Sequence, residues 1–293
     1  MPDTTTDRFN KKQAQIIQHQ AEVSARYPAL WSKMIAEWNQ PGMDDRAWLM
    51  YSANYLFRTN NVRWAMDPLR LSQRLPQAPT VEFAKDLDKL SFVILTHQHA
   101  DHLDLDLIRE LSHLPLFWVI PDFVLKWIKN KTNIILNQVI VPKPLQSFEI
   151  HGIRITPFDG LHWEKKTDEE PRGVPAMAYL IEFNGKRWLF PGDTRTYDAS
   201  QLPSFEHLDG IFAHLWLGRG CALQDAPLLE DAFCRFCHDL KPQNIVLTHL
   251  REFGRDPDDY WDEEHAKKVY SKIQDFPGGT FATHALMGES ILL

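Results

Sequence analysis

The chain has 293 residues, 44% of them hydrophobic, which is ordinary for a globular protein and enough to bury a substantial core in one large domain or two smaller ones. Its net charge of -7 argues against a nucleic-acid surface, because grip on a phosphate backbone relies on Lys and Arg. Three Cys, at 221, 234 and 237, are too few and too odd in number for a disulfide framework.

The polar start, Met1 to Asn10, has no apolar stretch of the signal-peptide type, and no run reaches the roughly 18 apolar residues of a spanning helix. A cytoplasmic protein is the expectation, with a small-molecule substrate, no nucleic acid and no integral membrane segment. Residues 1–45 read as a helical extension. Trp31, Met34, Ile35 and Trp38 recur at helical spacing, and Pro41-Gly42 stops the pattern. The stripe must pack on the main body or on another subunit, so a homo-oligomer stays open.

From Ala47 the pattern changes, and residues 46–293 are expected to form one catalytic domain. Trp48 to Arg58 and Val62 to Met66 read as paired strands closed by Asp67-Pro68. The apolar run Phe92 to Leu95 is a strand that leads into Thr96-His97-Gln98-His99-Ala100-Asp101-His102, and Leu103, Leu107, Ile108 and Leu111 then mark a helix. Phe117 to Ile120 is a short strand and Asp122 to Lys131 a short helix. Ile153 and Ile155 alternate with polar residues and run into Asp159-Gly160-Leu161-His162, and the charged segment Glu164 to Arg172 reads as an exposed loop. Asn184-Gly185 between Ala178–Phe183 and Arg187–Phe190 is a strong hairpin signal, and the second arm delivers Pro191-Gly192-Asp193-Thr194. Ile211 to Leu217 is another apolar strand, Leu229 to Leu240 a helix, and Ile245 to Leu247 a strand that ends at Thr248-His249. Glu263 to Ile273 is helical and Glu289 to Leu293 a last strand. Strands mixed with hairpins and helices point to a layered α/β (α+β) architecture.

Metal chemistry is the main signal. In an extended segment residues i and i+2 face the same way, so His97 and His99 can share one cation, while Asp101 and His102 are placed for a second. Imidazole and carboxylate donors suit Zn, with Mn or Fe as alternatives. Two cations need more donors than this run holds, and His162, Asp193 and His249, each at a strand end, are the candidates. A His-rich turn could be merely solvated, but strand after strand ends in such a donor.

This order, His97-x-His99-x-Asp101-His102, then His162, Asp193 in Gly192-Asp193-Thr194, and His249, resembles the metallo-β-lactamase superfamily over roughly residues 45–293. Asp67 falls where that superfamily places a supporting aspartate. The resemblance implies a four-layer αββα sandwich of two mixed sheets, with the site along one edge. It implies that His97, His99 and His162 hold one metal, that Asp101, His102 and His249 hold the other, and that Asp193 bridges them. A bridging hydroxide would then attack the substrate, with Asp101 able to orient it. His162-Trp163 and Gly288-Glu289-Ser290 look most like the branch of N-acyl-phosphatidylethanolamine phospholipase D and ascorbate-6-phosphate lactonase.

The expected activity is hydrolysis of a phosphoester or phosphodiester, with a small lactone as the alternative. A non-catalytic metal-binding protein is a further alternative, and a flavodiiron-type redox protein would need a flavin domain. Arg219, in Leu215-Trp216-Leu217-Gly218-Arg219-Gly220, is a candidate phosphate or carboxylate clamp, or else a solvated turn residue. His214, inside an apolar strand, reads as a core histidine outside the metal shells. Cys234-Arg235-Phe236-Cys237-His238 matches a haem-attachment pattern, but its helical apolar stripe favours buried thiols. His113, His151 and His284 read as structural.

Overall fold

The computed structural model describes residues 5–164, 172–276 and 280–293. Six strands open the first sheet: β1 (Arg46–Tyr51), β2 (Asn54–Thr59), β3 (Val62–Met66), β4 (Phe92–Ile94), β5 (Phe117–Val119) and β6 (Val139–Ile140). The second sheet takes β7 (Phe148–Ile150) and β8 (Ile153–Asp159). A two-stranded ladder follows, β9 (Trp163–Glu164) with β10 (Arg172–Gly173). Then come β11 (Met177–Phe183), β12 (Lys186–Phe190), β13 (Gly210–His214), β14 (Asn244–Thr248) and β15 (Phe281–Thr283), and β16 (Ser290–Leu292) returns to the first sheet. The sheet orders are β16-β1-β2-β3-β4-β5-β6 and β15-β14-β13-β12-β11-β8-β7. Each sheet is antiparallel in one half and parallel in the other, with the parallel strands β3–β6 and β12–β15.

Alternation within strands builds three cores. In β1, Ala47 and Leu49 enter the core between the sheets, while Trp48 and Met50 face the helices outside. In β11 the same split sends Tyr179 and Ile181 inward and Ala178 and Leu180 outward. Because both faces are covered, these strands read as continuous apolar runs. The inner core is aromatic: Phe57 stacks on Trp64 at 3.9 Å between centroids, and Phe190 on Phe212 at 4.7 Å. Outside the first sheet lie α1 (Thr5–Asn39), α2 (Phe83–Asp86), α3 (Leu105–Leu111) and α4 (Asp122–Ile128). Outside the second lie α5 (Glu230–Asp239) and α6 (Glu263–Gln274). This is the αββα sandwich that the resemblance implies.

Two local expectations need correction. The run Trp48 to Arg58 is two strands folded back on each other, not one. The reversal sits at Ser52-Ala53, where Ser52 takes a positive φ of 38° without the Gly or Asn that normally announces it. At the other end, Glu164 and Arg172 pair across β9–β10, so the charged segment's two ends are strands, and its residues 165–171 lie outside the described ones. The apolar stripe of α1 packs on the main body. Trp38 is fully buried with its Nε1 donating to Phe57 O at 2.9 Å, and Trp31 Nε1 donates to Asp86 at 2.6 Å. Among the described residues no helix is long and apolar enough to cross a membrane.

Candidate metal centre

Parallel strands end on the same side, so each sheet gathers its strand-end residues at one edge. Thus β3 delivers Asp67 and β4 delivers the loop from Thr96 to His102, while β12, β13 and β14 deliver Asp193, His214 and His249. His162 follows β8 through a short turn in which Gly160 N donates to Ala176 O at 2.8 Å. His249 sits at φ 64°, and its N–H is held by Ser52 O at 2.9 Å; Thr248 Oγ1 donates to the same carbonyl. The hidden reversal in the first sheet therefore fixes a donor of the second.

Asp67 orders two imidazoles. Its carboxylate accepts from Thr96 N at 2.8 Å, from Thr96 Oγ1 at 2.5 Å and from His102 Nδ1 at 2.8 Å. The single hydroxyl proton of Thr96 goes to Asp67, so at 2.9 Å from His97 Nδ1 that oxygen can only accept. Both His97 and His102 then carry a proton on Nδ1, which reserves Nε2 as the atom each can offer to a cation. His97 Nε2 stands 3.2 Å from His99 Nδ1, and His162 Nε2 stands 3.0 Å from that same atom.

The donors fall into two groups that share Asp193. His97, His99, His162 and Asp193 form one, and His102, His214, His249 and Asp193 the other, with donor atoms within 4.8 Å of one another in each. Asp193 Oδ2 lies 3.8 Å from His97 Nε2 and 3.9 Å from His162 Nε2. Its Oδ1 lies 3.3 Å from His102 Nε2, 3.6 Å from His249 Nε2 and 2.8 Å from His214 Nδ1. Asp101 Oδ2 is 3.1 Å from His249 Nε2 and 3.6 Å from His102 Nε2. All seven residues expected from the sequence therefore meet in one place. Two further residues join them: His214, at the last position of β13, and Glu252, which clusters with Asp101 and His249.

These residues fit divalent cations. Among the described residues, buried His102 Nε2 and Asp193 Oδ2 have no hydrogen-bond partner, although an unmet buried polar atom is costly. A tetrahedral cation with bonds of about 2.0–2.2 Å separates its donor atoms by roughly 3.3–3.6 Å, which is close to the spacing of these nitrogens. Burial opposes charge on His102, but Asp193 and Asp101 outweigh it and hold this ring well above its ordinary pKa, so the spot draws positive charge and a cation would displace that proton. Burial pushes the His97 pKa well below its ordinary value, and the neighbouring His102 adds to this. Burial likewise takes His162 down to about 3, so both are neutral donors near pH 7. Burial opposes charge on Asp193, but His249 and His102 outweigh it and hold the carboxyl well below its usual range.

The cluster opens into a cleft of about 480 Å³ lined in part by Asp101, His99 and His162. Arg219 reaches this cleft too, but its exposed side chain is tied to Glu164 by hydrogen bonds of 3.0–3.3 Å. Cys234 and Cys237 are buried in α5, and burial raises the Cys234 thiol to about 12. His284 lies apart from the metal groups and pairs with Tyr270 Oη.

A family model described as "Beta-lactamase superfamily domain" matches residues 65–250. The chain belongs to the metallo-β-lactamase superfamily. A curated relative, N-acyl-phosphatidylethanolamine-hydrolyzing phospholipase D 1 of Caenorhabditis elegans, is 37% identical over 49 residues. That match spans 16% of this chain and only 14% of the relative's length. Among solved structures, the metallo hydrolase Igni18 of Ignicoccus hospitalis superposes with a TM-score of 0.58 at 16% identity, covering 85% of this chain and 98% of its own. CmlA, a diiron β-hydroxylase of Streptomyces venezuelae, reaches 0.55 at 15% identity, covering 87% of this chain and 55% of its own. At such identities the two structures speak for the fold. Superfamily and donor set together make this superfamily member a metal-dependent hydrolase.

Proposed function

We propose that the protein hydrolyses a phosphoester or phosphodiester at two divalent cations that share Asp193. The observation that carries this reading is Asp193 itself: each of its oxygens faces a different set of imidazoles. His97, His99 and His162 would hold one cation, and His102, His249 and Asp101 the other. Divalent cations supply Lewis acidity there and acidify water to a pKa near 7. The chain's own residues do the rest. Asp67 keeps the Nε2 atoms of His97 and His102 free, and His214 donates to Asp193 Oδ1 and fixes that carboxylate's plane. Asp101 lines the cleft, where it can accept a proton from the attacking water, and Arg255 Nη2 steadies it at 3.6 Å. Phosphorus chemistry is favoured over a lactone by the phospholipase D relative and by the arginines around the cleft.

Two measurements test this. Protein purified without chelator should contain about two metals per chain, as two-metal hydrolases do. It should also hydrolyse bis(p-nitrophenyl) phosphate, lose that activity on metal removal and regain it with Zn, Mn or Fe. Turnover of simple lactones but not of the phosphodiester would shift the assignment to a lactonase, and turnover of neither would sink both.

A further inference from the structure

The chain as a whole is acidic, yet five arginines among the described residues line the cleft over the metal donors: Arg74, Arg172, Arg195, Arg219 and Arg255. Their surroundings differ sharply. Arg74 bonds to Glu252 and to Phe253 O, and Arg255 bonds to Glu252 and Asp259. Arg219 bonds to Glu164, and Arg172 sits opposite Glu164 in the β9–β10 ladder. Arg74, Arg219 and Arg255 are built into the cleft's own ion pairs, and Arg172 is part of its two-stranded ladder.

Arg195 is different. It lies two residues beyond Asp193, and its side chain is only 8% exposed, against 59% for Arg219. Its backbone N–H is anchored to Leu161 O at 2.8 Å, next to His162. The guanidinium lies 4.1 Å from the centroid of Trp216, a buried ring whose Nε1 donates to Asp259 at 3.3 Å. Stacking of this kind fixes the plane of the fork while leaving its edge N–H groups available. Its one carboxylate contact among the described residues is Asp193 Oδ2, at 3.5 Å and outside hydrogen-bond geometry. Asp193 is the carboxylate shared by the two imidazole groups.

From this we infer that Arg195 determines specificity by gripping a second oxyanion of the substrate, a carboxylate or phosphate separate from the reacting group. The inference rests on the proposed reading of the centre, in which Asp193 is committed to cations and leaves the fork to the substrate. Arg195 Nη2 stands within 3.5 Å of Asp193, so the second anion lies close beside the reacting group. The substrate class is therefore a compact dianionic ester, with the two groups a few bonds apart, which a cleft of about 480 Å³ accommodates. The sequence held one cue, a cation directly after Gly192-Asp193-Thr194, but neither its burial nor its stacking can be read there.

Calorimetric titration of the metal-loaded protein tests the inference without any turnover. Ethylphosphonate offers one anionic group, while 2-carboxyethylphosphonate and ethane-1,2-diphosphonate add a carboxylate or a phosphonate. At least one dianion should bind about tenfold or more tightly than ethylphosphonate, as expected of a charge-assisted fork, and which one does so distinguishes carboxylate from phosphate. Arg195→Ala should bring that ratio close to one. Arg195→Lys keeps the charge without the fork and should lower the ratio several-fold; it carries the test alone if the alanine variant does not fold. Equal affinities in the unaltered protein, or a ratio that survives both substitutions, would overturn the inference. Failure of the phosphodiesterase reading would show elsewhere, as absent turnover of bis(p-nitrophenyl) phosphate, with the affinity ratio still measurable.

Discussion

The two sheets supply the candidate metal donors in opposite ways. The first gives a single loop, Thr96 to His102, in which four donors are nearly adjacent in sequence and are backed by one carboxylate, Asp67. The second gives His162, Asp193 and His249, with His214 beside Asp193, each from a different strand end and separated by tens of residues. A compact loop can be ordered by one buried acceptor. Dispersed donors depend on strand register and on distant anchors, such as Ser52 O beneath His249. The first sheet's half is thus held by local hydrogen bonds, and the second's by the fold itself.

Asp193 is where the two halves meet, so its removal gives the largest expected effect. Asp193→Ala should lower metal content from about two per chain to below one and abolish phosphodiester turnover, since both cations of such a pair lean on the shared carboxylate. Plasma emission analysis alongside a turnover assay reads both. A variant that keeps its full metal content would show that the halves are independent and that the shared carboxylate is not shared at all.

Asp67→Ala tests the local half. It removes the acceptor that sets the tautomer of His102 directly and of His97 through Thr96, and these rings belong to different metal groups. Partners of this kind are worth about 10–100-fold in metal affinity. Competition with a chromogenic chelator should therefore show both sites weakened by roughly that factor. Weakening at one site only would mean that the Thr96 relay does not reach His97.

The same contrast explains what the sequence made legible. The clustered donors were visible because spacing alone puts His97 and His99 on one side. His162, Asp193 and His249 were visible because each follows an apolar run. His214 was hidden by an error in one strand boundary. Leu215-Trp216-Leu217 continues the apolar run of β13, so the strand reads as ending at Leu217 with His214 in its interior. In the structure β13 ends at His214, and Leu215 and Leu217 are a fully buried loop in the core beneath α5 and α6. Burial outside a strand looks like strand in a hydropathy pattern, and the mistake moved a strand-end histidine into the strand's interior. The Ser52 reversal was missed for the converse reason: its positive φ is imposed by packing and not by a turn residue.

His214 also gives the smallest effect, and it decides whether the dispersed half contains a fourth ligand or a support. Its Nδ1 lies 2.8 Å from Asp193 Oδ1, the length of a hydrogen bond to a carboxylate, and its ring stacks 5.5 Å from that of His249. A donor N–H aimed at Asp193 cannot at the same time be a lone pair aimed at a cation. On this geometry His214 Nδ1 positions Asp193 and is not a ligand atom, and only its Nε2 could take that role. His214→Ala should then keep about two metals per chain and weaken binding toward the lower end of the 10–100-fold range known for such supports. His249→Ala, by contrast, should empty one site. The two variants measured side by side, by metal content and by chelator competition, separate support from ligand: equal loss of metal would place His214 among the ligands and make the second sheet's half as large as the first's.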